Sequence, residues 1–225
     1  MRGILLDIEG TTTPISFVYD VLFPYARRHA VTSARGLDLT DLRREHQDDQ
    51  KAGHQPPEWS TDPVPYIHWL MDQDRKSTAL KRIQGEIWLD GYRTGQLQGK
   101  VFDDVPPALQ RWRTLGIDVR IFSSGSVLAQ RLIFSTTAAG DLTTCLNGYF
   151  DTTTGPKNAP ASYNVIAQTF SLAPSDILFV SDVTRELDAA REAEMQTALC
   201  VRPGNHPQPA HTHRIITTFD EIPSL

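Results

Sequence analysis

Between Pro106 and Val201 short apolar runs alternate with helix-like stretches, and this alternation restricts the fold more than any other feature of the sequence. Pro106 and Pro107 open a helix carrying Leu109, Trp112 and Leu115, which Gly116 closes. Ile117 to Phe122 then reads as a strand, and Ser126 caps a helix through Val127, Leu128, Leu132 and Ile133. A helix from about Ala159 carries Tyr163, Ile166 and Phe170. It is followed by a strand at Ile177 to Val180, an Ala-rich helix at Glu186 to Glu194, and a last strand at Thr197 to Val201 before a Pro/His-rich tail. Strand, helix, strand, helix is the pattern of a parallel sheet flanked by helices. The polar and aromatic segment Asn147 to Thr154 fits no element clearly.

One more strand belongs to this sheet. Ile4, Leu5 and Leu6 form a continuous apolar run bounded by Gly3 and by Gly10 and Pro14, as a strand buried on both faces requires. Asp7 stands at its carboxyl end, where open α/β sheets place ligands. Glu9 is two residues on, so in an extended chain both carboxylates point to the same side. Gly10 frees the turn, and the hydroxyls of Thr11, Thr12 and Thr13 are available to its amides. Two carboxylates this close repel, which calls for a proton or a cation between them. Mg²⁺ suits oxygen ligands of this kind. A strand followed by a plain polar turn is the alternative reading of the same residues.

From Ser16 to about Gly95 the character is helical and Pro-interrupted, with no convincing strand. Phe17, Val21 and Leu22 share a helical face that Pro24 should kink or stop. Leu39 to Lys51 is densely charged and predicts an exposed helix with a solvated face. A loop marked by Pro56, Pro57, Pro63 and Pro65 precedes a helix at Tyr66 to Met71. Another helix follows from Ser77, with Leu80, Ile83, Ile87 and Leu89 inward. The expected organisation is an α/β core at 1–15 and 96–225, with a helical domain at 16–95 inserted into it.

The chain has 225 residues and a net charge of −5, with no long basic run, so a nucleic-acid partner is not expected. Cys145 and Cys200 lie far apart and form no C-x-x-C spacing, which reads as two reduced buried thiols. No apolar run reaches the ~18 residues of a membrane span, and the ordered regions of a signal peptide are missing. A soluble, cytoplasmic monomer without a membrane partner is the expectation.

Each later strand also ends in reactive-looking residues. Ser123-Ser124-Gly125-Ser126 combines hydroxyls, backbone amides and a helix start, the parts of a phosphate cradle. Taken alone, it is equally a loop with a helix cap. Lys157, between Gly155-Pro156 and a helix, is placed to neutralise a phosphate or to be an ordinary exposed lysine. Asp182 follows an apolar strand directly, with Glu186 and Asp188 beyond it as rival second acids. His206, His211 and His213 lack acidic or Cys companions and read as solvated. Trp59, Tyr66, Trp69, Trp88 and Tyr92 read chiefly as helical-domain core.

The order strand-Asp-x-acid-Gly-Thr, strand-Ser, Lys, strand-Asp resembles the haloacid dehalogenase superfamily of phosphotransferases, whose Rossmannoid core carries a helical cap. D-I-E-G-T-T-T-P-I-S-F-V, Phe23 to Ala26, S-S-G-S and S-D-V-T-R-E-L-D-A-A narrow the resemblance to the enolase-phosphatases of methionine salvage. The resemblance implies Asp7 as nucleophile, Glu9 as general acid/base and Lys157 as charge stabiliser. It further implies Ser123, Ser124 and Lys157 as the phosphate site, and Asp7, Glu9 and Asp182 as the Mg²⁺ site. The implied substrate is 2,3-diketo-5-methylthiopentyl-1-phosphate, enolised and then dephosphorylated to the acireductone. Glu9 stands where most phosphatases of the superfamily carry Asp and the enolase-phosphatases carry Glu.

Overall fold

Ile4, Leu5 and Leu6 are wholly buried because their strand, β1 (Gly3–Leu6), lies inside the sheet with a hydrogen-bonded neighbour on each side. The computed structural model describes residues 1–33, 38–73, 75 and 77–222. On one side β1 pairs with β2 (Asp118–Phe122), which pairs with β3 (Gly148–Phe150). On the other it pairs with β4 (Ile177–Ser181), followed by β5 (Gln196–Cys200) and β6 (Arg214–Ile216). Every pairing is parallel. The chain therefore builds outward from β1 in one direction and then, from β4, in the other. The carboxyl ends of β1 and β4 meet at the point where strand order reverses, which is where such sheets form a crevice.

Two strands depart from the expectation. The segment without a clear assignment contains β3, and the Pro/His-rich tail returns to the sheet as β6. His213 is consequently buried rather than solvated, with Nδ1 2.8 Å from Thr197 Oγ1 and Nε2 3.0 Å from Asp188 Oδ1. Cys145 and Cys200 are both buried and unpaired.

The helices that follow these strands are α5 (Val105–Thr114), α6 (Val127–Ser135), α7 (Pro160–Phe170) and α8 (Thr184–Glu192). α5 packs on β2, α6 on β3, and α8 on β4 and β5. Leu5, Phe122, Tyr163, Ile166, Phe179, Leu187 and Leu199 form one continuous core between sheet and helices. Each such apolar side chain, once buried, contributes about 1.5–3 kcal/mol.

The chain divides into two compact units, one of Met1–Val18 with Gln98–Leu225 and one of Tyr19–Leu97. The second is helical: α1 (Phe23–Ser33), α2 (Thr40–Lys51), α3 (Val64–Asp72) and α4 (Thr78–Arg93). Pro24 does not stop a helix. A π-helical segment, Phe17–Leu22, ends just before it, so Pro24 falls in the first turn of α1, where its missing N–H is not needed. Gly91 lets α4 approach the Tyr25 ring so closely that a Cβ there would lie 2.7 Å from Cε1. α2 is less solvated than its charge suggests. Its Leu42, His46 and Asp49 are buried, and Asp49 pairs with Arg75 and accepts from Tyr66 OH at 2.7 Å. Tyr66, Trp88 and Tyr92 are core residues, while Trp59 and Trp69 are half-buried. Among the described residues no helix is long and apolar enough to cross a membrane.

Candidate active site

The register Leu6 opposite Ile121 and Val180 brings three strand ends level, so the residues just beyond them share one rim. Asp7 leaves β1 there, its amide still donating to Val180 O at 3.0 Å. The chain then turns sharply. The amides of Thr11, Thr12 and Thr13 all reach Ile8 O at 3.1, 3.0 and 2.9 Å, so a carbonyl rather than the threonine hydroxyls satisfies them. Thr12 Oγ1 instead donates to Asp7 O at 3.1 Å, and the hydroxyls of Thr11 and Thr13 are buried without a partner. Gly10 adopts φ +72°, and a Cβ on it would collide with Asp182 Oδ2. Glycine is thus required both for the turn and for the approach of the fourth strand's carboxylate.

Lys157 is no ordinary exposed lysine. Its side chain is 9% exposed, and Nζ lies 2.6 Å from Asp7 Oδ1 and 2.6 Å from Glu186 Oε2. Its backbone is held by Tyr163 OH, which donates to Lys157 O at 2.6 Å, and by Ser162 Oγ, which donates to Pro156 O at 2.8 Å. Burial alone would lower the ammonium's pKa, but Asp7 and Glu186 outweigh it and hold the group protonated. The second acid of the last motif is Glu186, which also accepts from Ser181 Oγ at 3.0 Å. Asp188 faces away, toward Arg191 at 2.7 Å and His213.

Asp182 is buried, and its carboxyl is pushed up to about 8, first by burial and then by the charges of Asp7 and Glu186. Asp7 and Glu186 contact the one ammonium and Asp182 lies within reach of their charges, so the fully ionised cluster is two charges negative. Hard oxygen donors with uncompensated charge fit Mg²⁺, which commonly takes one or two carboxylates and completes its shell with water or phosphate oxygens. Asp7 and Asp182, just past the ends of adjacent strands, are the two carboxylates that could form such a pair. Among the described residues no three His, Cys, Asp or Glu side chains converge tightly enough to hold a metal by themselves. Glu9 lies in the turn, half-buried, its backbone bridged to Thr13.

A pH dependence follows for the protein in EDTA. Asp182 binds its proton more tightly folded than unfolded, so the stability this confers is complete below about pH 4 and lost as pH rises through about 8. The melting temperature in EDTA should therefore fall across that window, and Mg²⁺ should reverse the fall at the alkaline end. A flat profile by calorimetry would contradict the charge balance described here.

The turn after β2 differs from a row of open amides. Gly125 N donates to Ser123 Oγ at 3.1 Å, Ala129 N to Ser126 Oγ at 3.3 Å, and Val127 N to Asp151 Oδ2 at 3.3 Å. Gln130 Nε2 pins the turn through Gly125 O and Phe150 O, both at 2.8 Å. The turn also carries two hydroxyls, with Ser123 buried and Ser124 exposed. Asp151, Gln130, Tyr163 and Asn205 support this rim without having been anticipated from the sequence. Asn205 Nδ2 donates to Gly10 O at 2.9 Å. Arg202, stacked on Phe102 and Phe219, pairs with Asp104 at 2.8 Å and reaches Thr11 O at 3.3 Å.

Residues 1–194 match the family model of haloacid dehalogenase-like hydrolases. "Enolase-phosphatase E1" of Synechococcus elongatus is 49% identical over 97% of this chain and 96% of its own length. A "probable bifunctional methylthioribulose-1-phosphate dehydratase/enolase-phosphatase E1" of Populus trichocarpa is 46% identical over 98% of this chain, which spans 47% of that longer protein. The crystal structure of the UTR4 protein from Saccharomyces cerevisiae superposes with a TM-score of 0.80 at 33% identity, covering 98% of this chain and 99% of the other. Sequence likeness over nearly the full length and a parallel sheet with its acids at the switch point lead to one assignment: the chain belongs to the haloacid dehalogenase-like hydrolases and, among them, to the enolase-phosphatase E1 family.

Proposed function

We propose that this chain is a Mg²⁺-dependent enolase-phosphatase of methionine salvage, converting 2,3-diketo-5-methylthiopentyl-1-phosphate to the acireductone 1,2-dihydroxy-3-keto-5-methylthiopentene and phosphate. The observation that carries the reading is Lys157 Nζ held 2.6 Å from Asp7 Oδ1 at the switch point of the sheet, in a chain 49% identical to an enolase-phosphatase. Lys157 orients Asp7 and keeps one of its oxygens occupied, which leaves Oδ2 to attack phosphorus. The phosphorus–oxygen ester bond breaks as the Asp7–phosphorus bond forms, and Glu9 gives its proton to the departing oxygen. Glu9 then takes a proton from water, the hydroxide attacks the aspartyl-phosphate, and Asp7 and inorganic phosphate are released. Ser123 and Ser124 donate to the phosphoryl oxygens, and Lys157 offsets their charge. Mg²⁺, held by Asp7 and Asp182, would neutralise the phosphoryl group and the excess carboxylate charge. Enolisation comes first: ionised Glu9 removes the carbon-bound proton and delivers it to the neighbouring carbonyl oxygen, and solvent reprotonates Glu9 before phosphoryl transfer.

Following the diketone absorbance separately from phosphate release tests this reading. An enol intermediate should accumulate before phosphate appears, and EDTA should stop phosphate release. Phosphate appearing with no enol under any condition would point to a plain phosphatase instead. Full activity in metal-free buffer would remove Mg²⁺ from the scheme.

A further inference from the structure

After β5 the chain reverses through Arg202-Pro203-Gly204-Asn205. Asn205 N donates to Arg202 O at 3.1 Å and Gly204 takes φ +88°, as a Pro-Gly turn requires. The turn delivers the Asn205 side chain to the nucleophile loop, where Nδ2 donates to Gly10 O at 2.9 Å and to Cys200 O at 3.1 Å. Two carbonyl acceptors fix which end of the amide is nitrogen. The other end, Oδ1, is buried and has no hydrogen-bond partner. A buried amide oxygen without a donor is costly unless something supplies one. Its position indicates what does so. Oδ1 lies 2.9 Å from the point that a Cβ on Gly10 would occupy, and Asp182 Oδ2 lies closer still, so the orphan oxygen and the carboxylate proposed to hold the ion border the same space above Gly10. Among the described residues no donor is hydrogen-bonded to Oδ1, and Mg²⁺ retains waters whose hydrogens need acceptors.

We propose that Asn205 is a positioning residue for the Mg²⁺ ion: Nδ2 pins the Gly10 turn, and Oδ1 accepts a hydrogen bond from the ion's hydration water. The inference rests on the Mg²⁺ part of the proposed function and is independent of the substrate's identity. It also gives the tail a role, because the same turn carries Arg202, whose Nε reaches Thr11 O at 3.3 Å.

Calorimetric titration of the whole protein with MgCl₂, without substrate, tests it through two variants. Asn205→Ala removes donor and acceptor, and its Mg²⁺ affinity should fall about 10–100-fold, the usual cost of losing an outer-shell partner. Asn205→Asp loses the donor yet keeps the acceptor, and should bind Mg²⁺ at least as tightly as the unaltered protein. A purely structural clamp would make the two variants fail alike, so equal affinities for Ala and Asp would overturn the proposal. Should the Ala variant not fold, the unaltered protein labelled with ¹⁵N-asparagine decides. Of its four asparagine side chains, that of Asn205 should be the first broadened by substoichiometric Mn²⁺. An unbroadened Asn205 resonance, or a protein that binds no Mg²⁺ in the titration, would overturn the proposal. Loss of the enolisation signal with Mg²⁺ binding intact would instead count only against the substrate reading.

Discussion

Replacing Asp7 by Asn should lower phosphate release by roughly 10⁴-fold or more, the scale seen when a covalent nucleophile is removed. The fold should survive the change. Lys157 keeps its 2.6 Å contact with Glu186, and an amide oxygen at position 7 can still accept from Nζ. Removing one of three buried carboxylates also relieves the repulsion that raises the Asp182 carboxyl, so stability in EDTA at pH 8 should hold or rise. Phosphate release and calorimetric binding of the phosphorylated substrate, measured on the same preparation, separate the two effects. Turnover within tenfold of the unaltered protein would remove Asp7 from the mechanism.

Lys157→Met should have the largest combined effect. The ammonium is the one side-chain cation in contact with Asp7 and Glu186 among the described residues, and both ion pairs are largely buried. Taking away one partner of a buried pair leaves uncompensated charge and costs about 3–5 kcal/mol. The loss should be greatest at alkaline pH and smaller near pH 4, because Glu186 and Asp182, whose carboxyls burial pushes up, take up protons that offset the missing cation. Phosphate release should fall about 10²–10³-fold through lost stabilisation of developing charge. A melting temperature equally depressed at pH 4 and pH 8 would show that the lysine's aliphatic stem, not its charge, is what matters.

The sequence made some of this visible for clear physical reasons. β1, β2, β4 and β5 were legible because each has apolar residues bounded by turn residues, and four strands ordered around helices suffice to define a parallel sheet. β3 and β6 have three residues each, too few to show any periodicity, and they became strands only because a neighbour offered an edge. The choice between Glu186 and Asp188 depended on helix phase. Positions two apart on a helix face nearly opposite ways, and α8 begins at Thr184, two residues before the start expected from its alanines. Asp49 and His213 were hidden by their surroundings, one in a charged helix and the other in a polar tail, although each is buried through a tertiary partner. Asn205 gave no signal at all, since an asparagine after Pro-Gly is ordinary turn punctuation.

The central strand also bears on how the molecule is made. β1 is synthesised first, but its partner β2 follows more than a hundred residues later and β4 later still. At translation speeds of about 5–20 residues per second, the nascent Ile4-Leu5-Leu6 segment waits roughly ten seconds or longer for both flanking strands. During that interval the helical unit encoded between β1 and β2 is the part able to condense through local contacts. Mutations that weaken this unit should therefore reduce soluble yield in the cell more than they lower the melting temperature of the finished protein.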